Sequence, residues 1–265
     1  MPTFICIAVP YFLGQRLPER TEVAAIRDSD LARAIGADWV EITPAFTASP
    51  DPVTAVNRAL AETIATHRDH VPIVFASDCL SALGAAKGLM AEAGLGIVWF
   101  DAHGDFNTPE TTPSGFLGGM PLAMLVGRGQ QQLMEDIGLS PLGEEDILLT
   151  DARDLDPGEA VALQHSAVTH LPDVRDLLTA PLPNKPLYVH LDIDVVNPEE
   201  MPATSYTAPG GPSLKEVATA VRRVARDGRV AGLLVSLWNE ALATDGRPLE
   251  RTLMLVRAFV EGLQA

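Results

Sequence analysis

The chain is short of cysteine, of basic charge and of long apolar runs, and each shortage removes a class of function. Only Cys6 and Cys79 occur in its 265 residues. They give no disulfide framework, so a reduced, cytoplasmic protein is expected. Lys and Arg number 19 against 35 Asp and Glu, a formal charge of −16. Nucleic-acid binding relies on basic side chains neutralising phosphates, and an anionic membrane surface makes the same demand. Neither is an expected partner, whereas an acidic surface suits solubility and attracts small cationic molecules. No apolar run approaches the length that spans a bilayer. The apolar start, Thr3-Phe4-Ile5-Cys6-Ile7-Ala8-Val9, lacks a basic leader and a cleavage site. Repeats, low-complexity tracts and inter-domain linkers are also missing. The 47% apolar content is ample for one core, which predicts a single domain over residues 1–265.

What is present is an alternation of short β-rich runs with helical patterns. Candidate strands are Phe4–Val9, Ile73–Ala76, Ile97–Phe100, Ile147–Thr150, Leu187–Leu191 and Val230–Leu237. Each is compact and apolar, as strands are when helices cover both faces of a parallel sheet. Helical patterns run over Val53–Thr66, Ser81–Ala93, Leu117–Val126, Gly158–His165, Leu214–Asp227 and Leu249–Glu261. Ser213 with Glu216 reads as a capping box, and Gly228 and Gly262 fall where helices can end. The alternation predicts an α/β fold with a mostly parallel sheet, whose ligands bind outside the carboxyl ends of the strands. Trp99 and Trp238, inside apolar runs, read as core.

Two of the strands run into carboxylate clusters. Ile97–Phe100 leads into Asp101-Ala102-His103-Gly104-Asp105, and Leu187–His190 into Leu191-Asp192-Ile193-Asp194. Strand alternation puts Asp101 and His103 on one side, and His190, Asp192 and Asp194 likewise. Gathering so many anionic oxygens around an imidazole is prohibitive unless a cation neutralises them. Oxygen donors with one or two imidazoles and no thiolate cluster favour a hard or borderline ion such as manganese over zinc. Five ligands exceed what one small ion takes from a protein, so two ions bridged by Asp101 and Asp192 are expected.

The run Asp101-Ala102-His103-Gly104-Asp105-Phe106-Asn107-Thr108-Pro109 resembles a signature of the arginase (ureohydrolase) family. So do His190-Leu191-Asp192-Ile193-Asp194-Val195-Val196-Asn197-Pro198, Ser114-Gly115-Phe116-Leu117-Gly118-Gly119-Met120-Pro121 and Ala152-Arg153-Asp154-Leu155-Asp156-Pro157-Gly158-Glu159. The resemblance implies a three-layer α/β fold, a manganese centre, hydrolysis of guanidino compounds and a homo-oligomer. It assigns one metal to Asp101, His103, Asp192 and Asp194. It assigns the other to Asp101, Asp105, Asp192 and a residue in Ala76-Ser77-Asp78-Cys79-Leu80-Ser81. It also gives Asn107, Ser114 and Asp156 the amino-acid end of the substrate.

The chain departs from the family pattern at three places. Cys79 stands where the family has a metal-binding His, and a thiolate is a soft ligand for a hard-leaning ion. One tightly held metal and a looser second are therefore expected. Gly118 stands where the family has a proton-shuttling His, and His190 is the candidate substitute, on the cluster face but one layer deeper. Leu237 stands where the family grips the guanidinium with a Glu, and Glu240 reaches inward only if the strand ends early. These departures resemble those of hydroxyarginine hydrolases. The expected activity is metal-dependent hydrolysis of a C–N bond in an arginine-like amino acid, favouring N-hydroxy-arginine, with Asp105 orienting the water. Ordinary release of urea from arginine and a non-catalytic metal-binding paralogue are the alternatives. A zinc deacetylase of similar fold would need tandem His, which the sequence lacks.

Overall fold

Every second residue of the apolar runs faces one helical layer and the rest face the other. In β1 (Phe4–Val9), Ile5, Ile7 and Val9 enter one core while Phe4, Cys6 and Ala8 enter a second. Burial on both faces is the reason these strands read as continuous apolar stretches. The computed structural model describes residues 2–48 and 51–265.

After β1 come α1 (Glu22–Asp28), α2 (Leu31–Ile35), β2 (Asp38–Glu41), α3 (Pro52–Thr66), β3 (Val71–Ala76) and α4 (Ser81–Leu89). The middle of the chain forms β4 (Gly96–His103), α5 (Pro121–Leu125), α6 (Gln132–Asp136), β5 (Ile147–Asp154), α7 (Pro157–Gln164) and β6 (Thr169–Leu171). The last third forms β7 (Leu187–Asp192), α8 (Leu214–Ala225), β8 (Val230–Ser236) and α9 (Arg247–Gln264). The eight strands make one sheet in the order β2-β1-β3-β8-β7-β4-β5-β6. Every pairing is parallel. Helices α3, α4 and α5 contribute to one core, and α1, α8 and α9 to the other. This is the parallel α/β sheet that the alternation predicts, in the three-layer form that the family resemblance implies.

The sheet order matters most for function. β3, β8, β7 and β4 are consecutive neighbours, so the segments after all four strands meet at one edge. Those segments carry Cys79, Leu237, Asp194 and Asp105.

Several local expectations are corrected. The strands β2 and β6 lie at the two sheet edges and are short and polar, which left them without an apolar signature. The helical pattern over Leu117–Val126 breaks at Met120 into a 3-10 turn and α5, and α4 stops at Leu89 rather than Ala93. Gly262 does not end a helix. It lies inside α9, where a Cβ would stand 2.6 Å from the Ala225 side chain and 2.7 Å from the Arg222 carbonyl oxygen. Its role is close packing of α9 on α8. The Ser213–Glu216 capping box is present, and Gly228, at φ +83°, follows α8 in the left-handed conformation that a glycine adopts without strain. No helix among the described residues is long and apolar enough to cross a membrane.

Candidate metal centre and active-site cavity

At the end of β4, the Asp101 carboxylate is held from two sides. Trp99 Nε1 donates to Oδ2 at 3.0 Å, and the His103 amide donates to Oδ1 at 2.7 Å. The His103 imidazole Nδ1 lies 3.0 Å from Asp194 Oδ2 and 3.4 Å from Asp101 Oδ1. These three side chains place a nitrogen and two oxygens within 4.8 Å of one another. Asp194 reaches the cluster by a route other than strand alternation. β7 ends at Asp192, and Ile193–Val195 forms a 3-10 turn. The Asp194 amide donates to Asp192 Oδ1 at 2.9 Å, while its carboxylate accepts from the Ala102 amide at 3.1 Å. The turn, tied to both strands, aims Asp194 at His103.

Asp105 sits in the left-handed region at φ 48°, a conformation that Asp tolerates better than most residues. Its carbonyl accepts from the Leu122 and Ala123 amides at 2.9 and 3.1 Å. Those amides belong to the first turn of α5, whose N–H groups need an outside partner. Its side-chain Oδ2 is buried with no protein partner. Behind this loop stands Glu159, which the sequence reading did not single out. Its carboxylate accepts from the Phe106 amide at 2.8 Å and from the Asp156 amide at 3.2 Å. Gly104 makes room for it, since a Cβ there would lie 2.6 Å from Glu159 Oε1. The signal was legible as Asp156 with Glu159 at the start of α7, where it reads as a helix cap alone.

The electrostatics are those of a cation site. Burial, then the charge of Asp194, pushes Asp192 up to about 7. Burial, reinforced by neighbouring carboxylates, raises Asp101, Asp105 and Asp194 as well. Burial works against a charged His103, yet its hydrogen bonds to Asp101 and Asp194 raise it to about 12. A buried, mutually repelling set of carboxylates with an unpartnered Asp105 oxygen fits a divalent ion.

The cluster forms the floor of a cavity of about 420 Å³ whose wall includes Asn107, Ser114, Asp156, Phe116, Tyr206 and Leu237. Asn107 Nδ2 donates to Asp156 Oδ2 at 2.9 Å, joining two of the residues expected to hold the substrate's amino-acid end. Ser114 lies at the exposed rim, where its Oγ accepts from the Phe116 amide at 3.2 Å. Cys79 lines the floor, with Sγ donating to Asp192 Oδ2 at 3.0 Å and lying 3.2 Å from Ser236 Oγ.

Two candidates are not on the cavity wall. Glu240 begins a 3-10 turn after β8, and its carboxylate accepts from Trp238 Nε1. β8 does end early, at Ser236, but the indole captures Glu240, so Leu237 faces the cavity instead. His190 is fully buried beneath the cluster, stacked on Trp99 at 3.6 Å and 10°. Burial lowers it to about 3, so it is neutral there. Trp99, read from the sequence as core, therefore also holds Asp101 and His190 in place.

A model of the arginase family matches residues 17–260. The arginase of Staphylococcus aureus strain COL is 29% identical over 225 residues, spanning 79% of this chain and 74% of that protein. The crystal structure of arginase from Bacillus cereus superposes with a TM-score of 0.87 at 25% identity, covering 98% of both chains. That of the Entamoeba histolytica arginase in complex with L-ornithine superposes with a TM-score of 0.86 at 23% identity, over 98% of this chain and 99% of that one. The chain belongs to the arginase family and is a hydrolase of the ureohydrolase type.

Proposed function

We propose that the cavity hydrolyses the guanidine C–N bond of N-hydroxy-arginine, giving ornithine and hydroxyurea. Manganese would be held tightly by Asp101, His103, Asp192 and Asp194. A looser second ion would draw on Asp101, Asp105 and Asp192. When bound, such an ion supplies Lewis acidity and makes water ionisable near neutral pH.

The chain's own groups account for the remaining steps. Asn107, Ser114 and Asp156 bind the α-amino acid end, which sets the side chain pointing down to the carboxylate floor. Asp105, whose Oδ2 has no protein partner, orients a water against the guanidine carbon and takes its proton. The hydroxyl joins the carbon, the bond to the substrate's Nδ breaks, and Asp105 returns the proton to the departing amine. The ornithine bound to the Entamoeba relative supports an amino-acid substrate of this length.

The observation that carries the choice of substrate is the wall at Leu237. With Glu240 held by Trp238, an apolar side chain meets the guanidine end of the substrate. On that side a guanidinium would meet an apolar side chain in place of a carboxylate. An N-hydroxyguanidine is less basic and gives up its proton more readily, so it needs less from a counter-ion. The similarity to arginases favours a second reading, release of urea from arginine itself. Ornithine release from the two substrates by the manganese-loaded protein separates them. A strong preference for N-hydroxy-arginine supports the first reading, and equal or arginine-favouring release supports the second.

A further inference from the structure

We propose that Cys79, His190 and Asp101 form a deeper cation site that selects a thiophilic divalent ion of the zinc class. This goes beyond the hydrolytic reading and does not depend on which guanidine is cleaved. It assigns Cys79 to an ion other than manganese.

Asp101 faces two sets of donors. On its outer side stand His103 and Asp194. On its inner side stand Cys79 Sγ and a ring nitrogen of His190, again within 4.8 Å of one another and of an Asp101 oxygen. In a tetrahedral site with a Zn–S bond of about 2.3 Å and a Zn–N bond of about 2.0 Å, sulfur and nitrogen stand about 3.5 Å apart, inside the 4.8 Å that bounds these donors. One ion can therefore draw on all three with small side-chain adjustments. The outer set has only nitrogen and oxygen and suits manganese. The inner set adds sulfur, which suits zinc.

The second observation is His190 itself. Its residue is 0% exposed, and its Nε2 has no hydrogen-bond partner. A buried, unpaired ring nitrogen is costly unless something meets it. Its orientation is fixed by three contacts. Tyr188 Oη lies 3.0 Å from Nδ1, the Tyr188 ring stands edge-on at 90°, and Trp99 stacks on the imidazole face. In the tautomer whose Nδ1 donates to Tyr188 Oη, Nε2 presents a lone pair, as a metal-ligating His does when its other nitrogen is held by an outer partner. Trp99 also donates to Asp101 Oδ2, so one indole positions two of the three donors. A fourth position is open to water or to Asp192, whose Oδ2 lies 3.0 Å from the sulfur.

The test is zinc K-edge X-ray absorption on the manganese-loaded protein carrying one equivalent of zinc. The expected shell contains one sulfur at about 2.3 Å and an imidazole nitrogen. Cys79→Ser should remove the sulfur, and His190→Gln should weaken zinc binding by more than about 10-fold, the least expected from losing even an outer partner. Because His190 is buried, a His103→Asn background provides the control that keeps it intact. Any imidazole scattering beside sulfur then comes from His190. A zinc shell without sulfur in the manganese-loaded protein, or one with sulfur but no imidazole in His103→Asn, overturns the proposal. Neither measurement reads turnover, so failure here leaves the substrate assignment untouched.

Discussion

Phe116 occupies the space that a side chain at position 118 would need. A Cβ built on Gly118 would stand 2.4 Å from Phe116 Cε1 and 2.5 Å from Cζ. The same ring packs on Tyr206 at 4.9 Å and near Phe12 at 6.5 Å, so the missing side chain is coupled to an aromatic cavity wall. A side chain at position 118 would require the Phe116 ring to swing away from Tyr206.

Gly118→His should therefore strain the fold, at a cost of about 1–3 kcal/mol typical of overpacking. Adding Phe116→Ala should recover much of that loss. Denaturant unfolding of the two single variants and the double variant measures the coupling. Strict additivity would mean that the two positions do not compete for space.

Removing Asp192 should separate metal binding from folding. Asp192→Ala is expected to lower manganese affinity by more than about 100-fold, beyond the loss of a mere outer partner. Turnover should fall with it. Calorimetric titration with manganese gives the affinity, and circular dichroism confirms that the chain remains folded. Wild-type affinity in this variant would remove Asp192 from the ligand set.

The metal-free protein should lose stability as pH rises. Asp192 is pushed up to about 7, chiefly by burial, whereas in the unfolded chain it ionises near pH ~4. Between about pH 4 and 7 the folded state keeps a proton that the unfolded state releases, so stability falls across that window. His103, raised to about 12 by Asp101 and Asp194 against the effect of burial, extends the fall above its unfolded value of about 6.5. A divalent ion replaces these protons. Thermal melts should show a lower Tm at pH ~8 than at pH ~5.5 without metal, and a larger manganese-induced rise at the higher pH. A metal-free Tm that climbs over the same range would exclude the cluster as the source of the pH dependence.

Glu159 should act as a positioning residue for Asp105. Glu159→Ala leaves the buried Phe106 amide without its acceptor and frees the Asp156 amide, at about 1–3 kcal/mol for a buried unsatisfied group. Because Phe106 follows Asp105, kcat is expected to drop more than the cost in stability alone explains. Gly104→Ala, which intrudes on the same carboxylate, should reproduce the kinetic defect. Steady-state kinetics at a temperature where both variants are folded would test this. A loss confined to Tm would leave Glu159 a purely structural cap.

The fold class, six of the strands and the order of the carboxylate clusters were legible in the sequence. They depend on local patterns: apolar runs long enough for a strand, and acidic residues at fixed spacing after them. The edge strands β2 and β6 were not, because an edge strand lacks the two-sided burial that writes an apolar run. The outer site was half legible. Alternation placed Asp101 and His103 together, but Asp194 arrives through a 3-10 turn that no period of two describes. Only the tertiary structure decided the rest. Sheet order brings the ends of β3, β8, β7 and β4 side by side, and that order follows from packing between distant segments. The capture of Glu240 by Trp238, the filling of Gly118 by Phe116 and the approach of His190 to Cys79 all depend on which surfaces meet. Sequence spacing fixes which donors each segment carries, whereas the packing of the sheet fixes which donors converge on one ion.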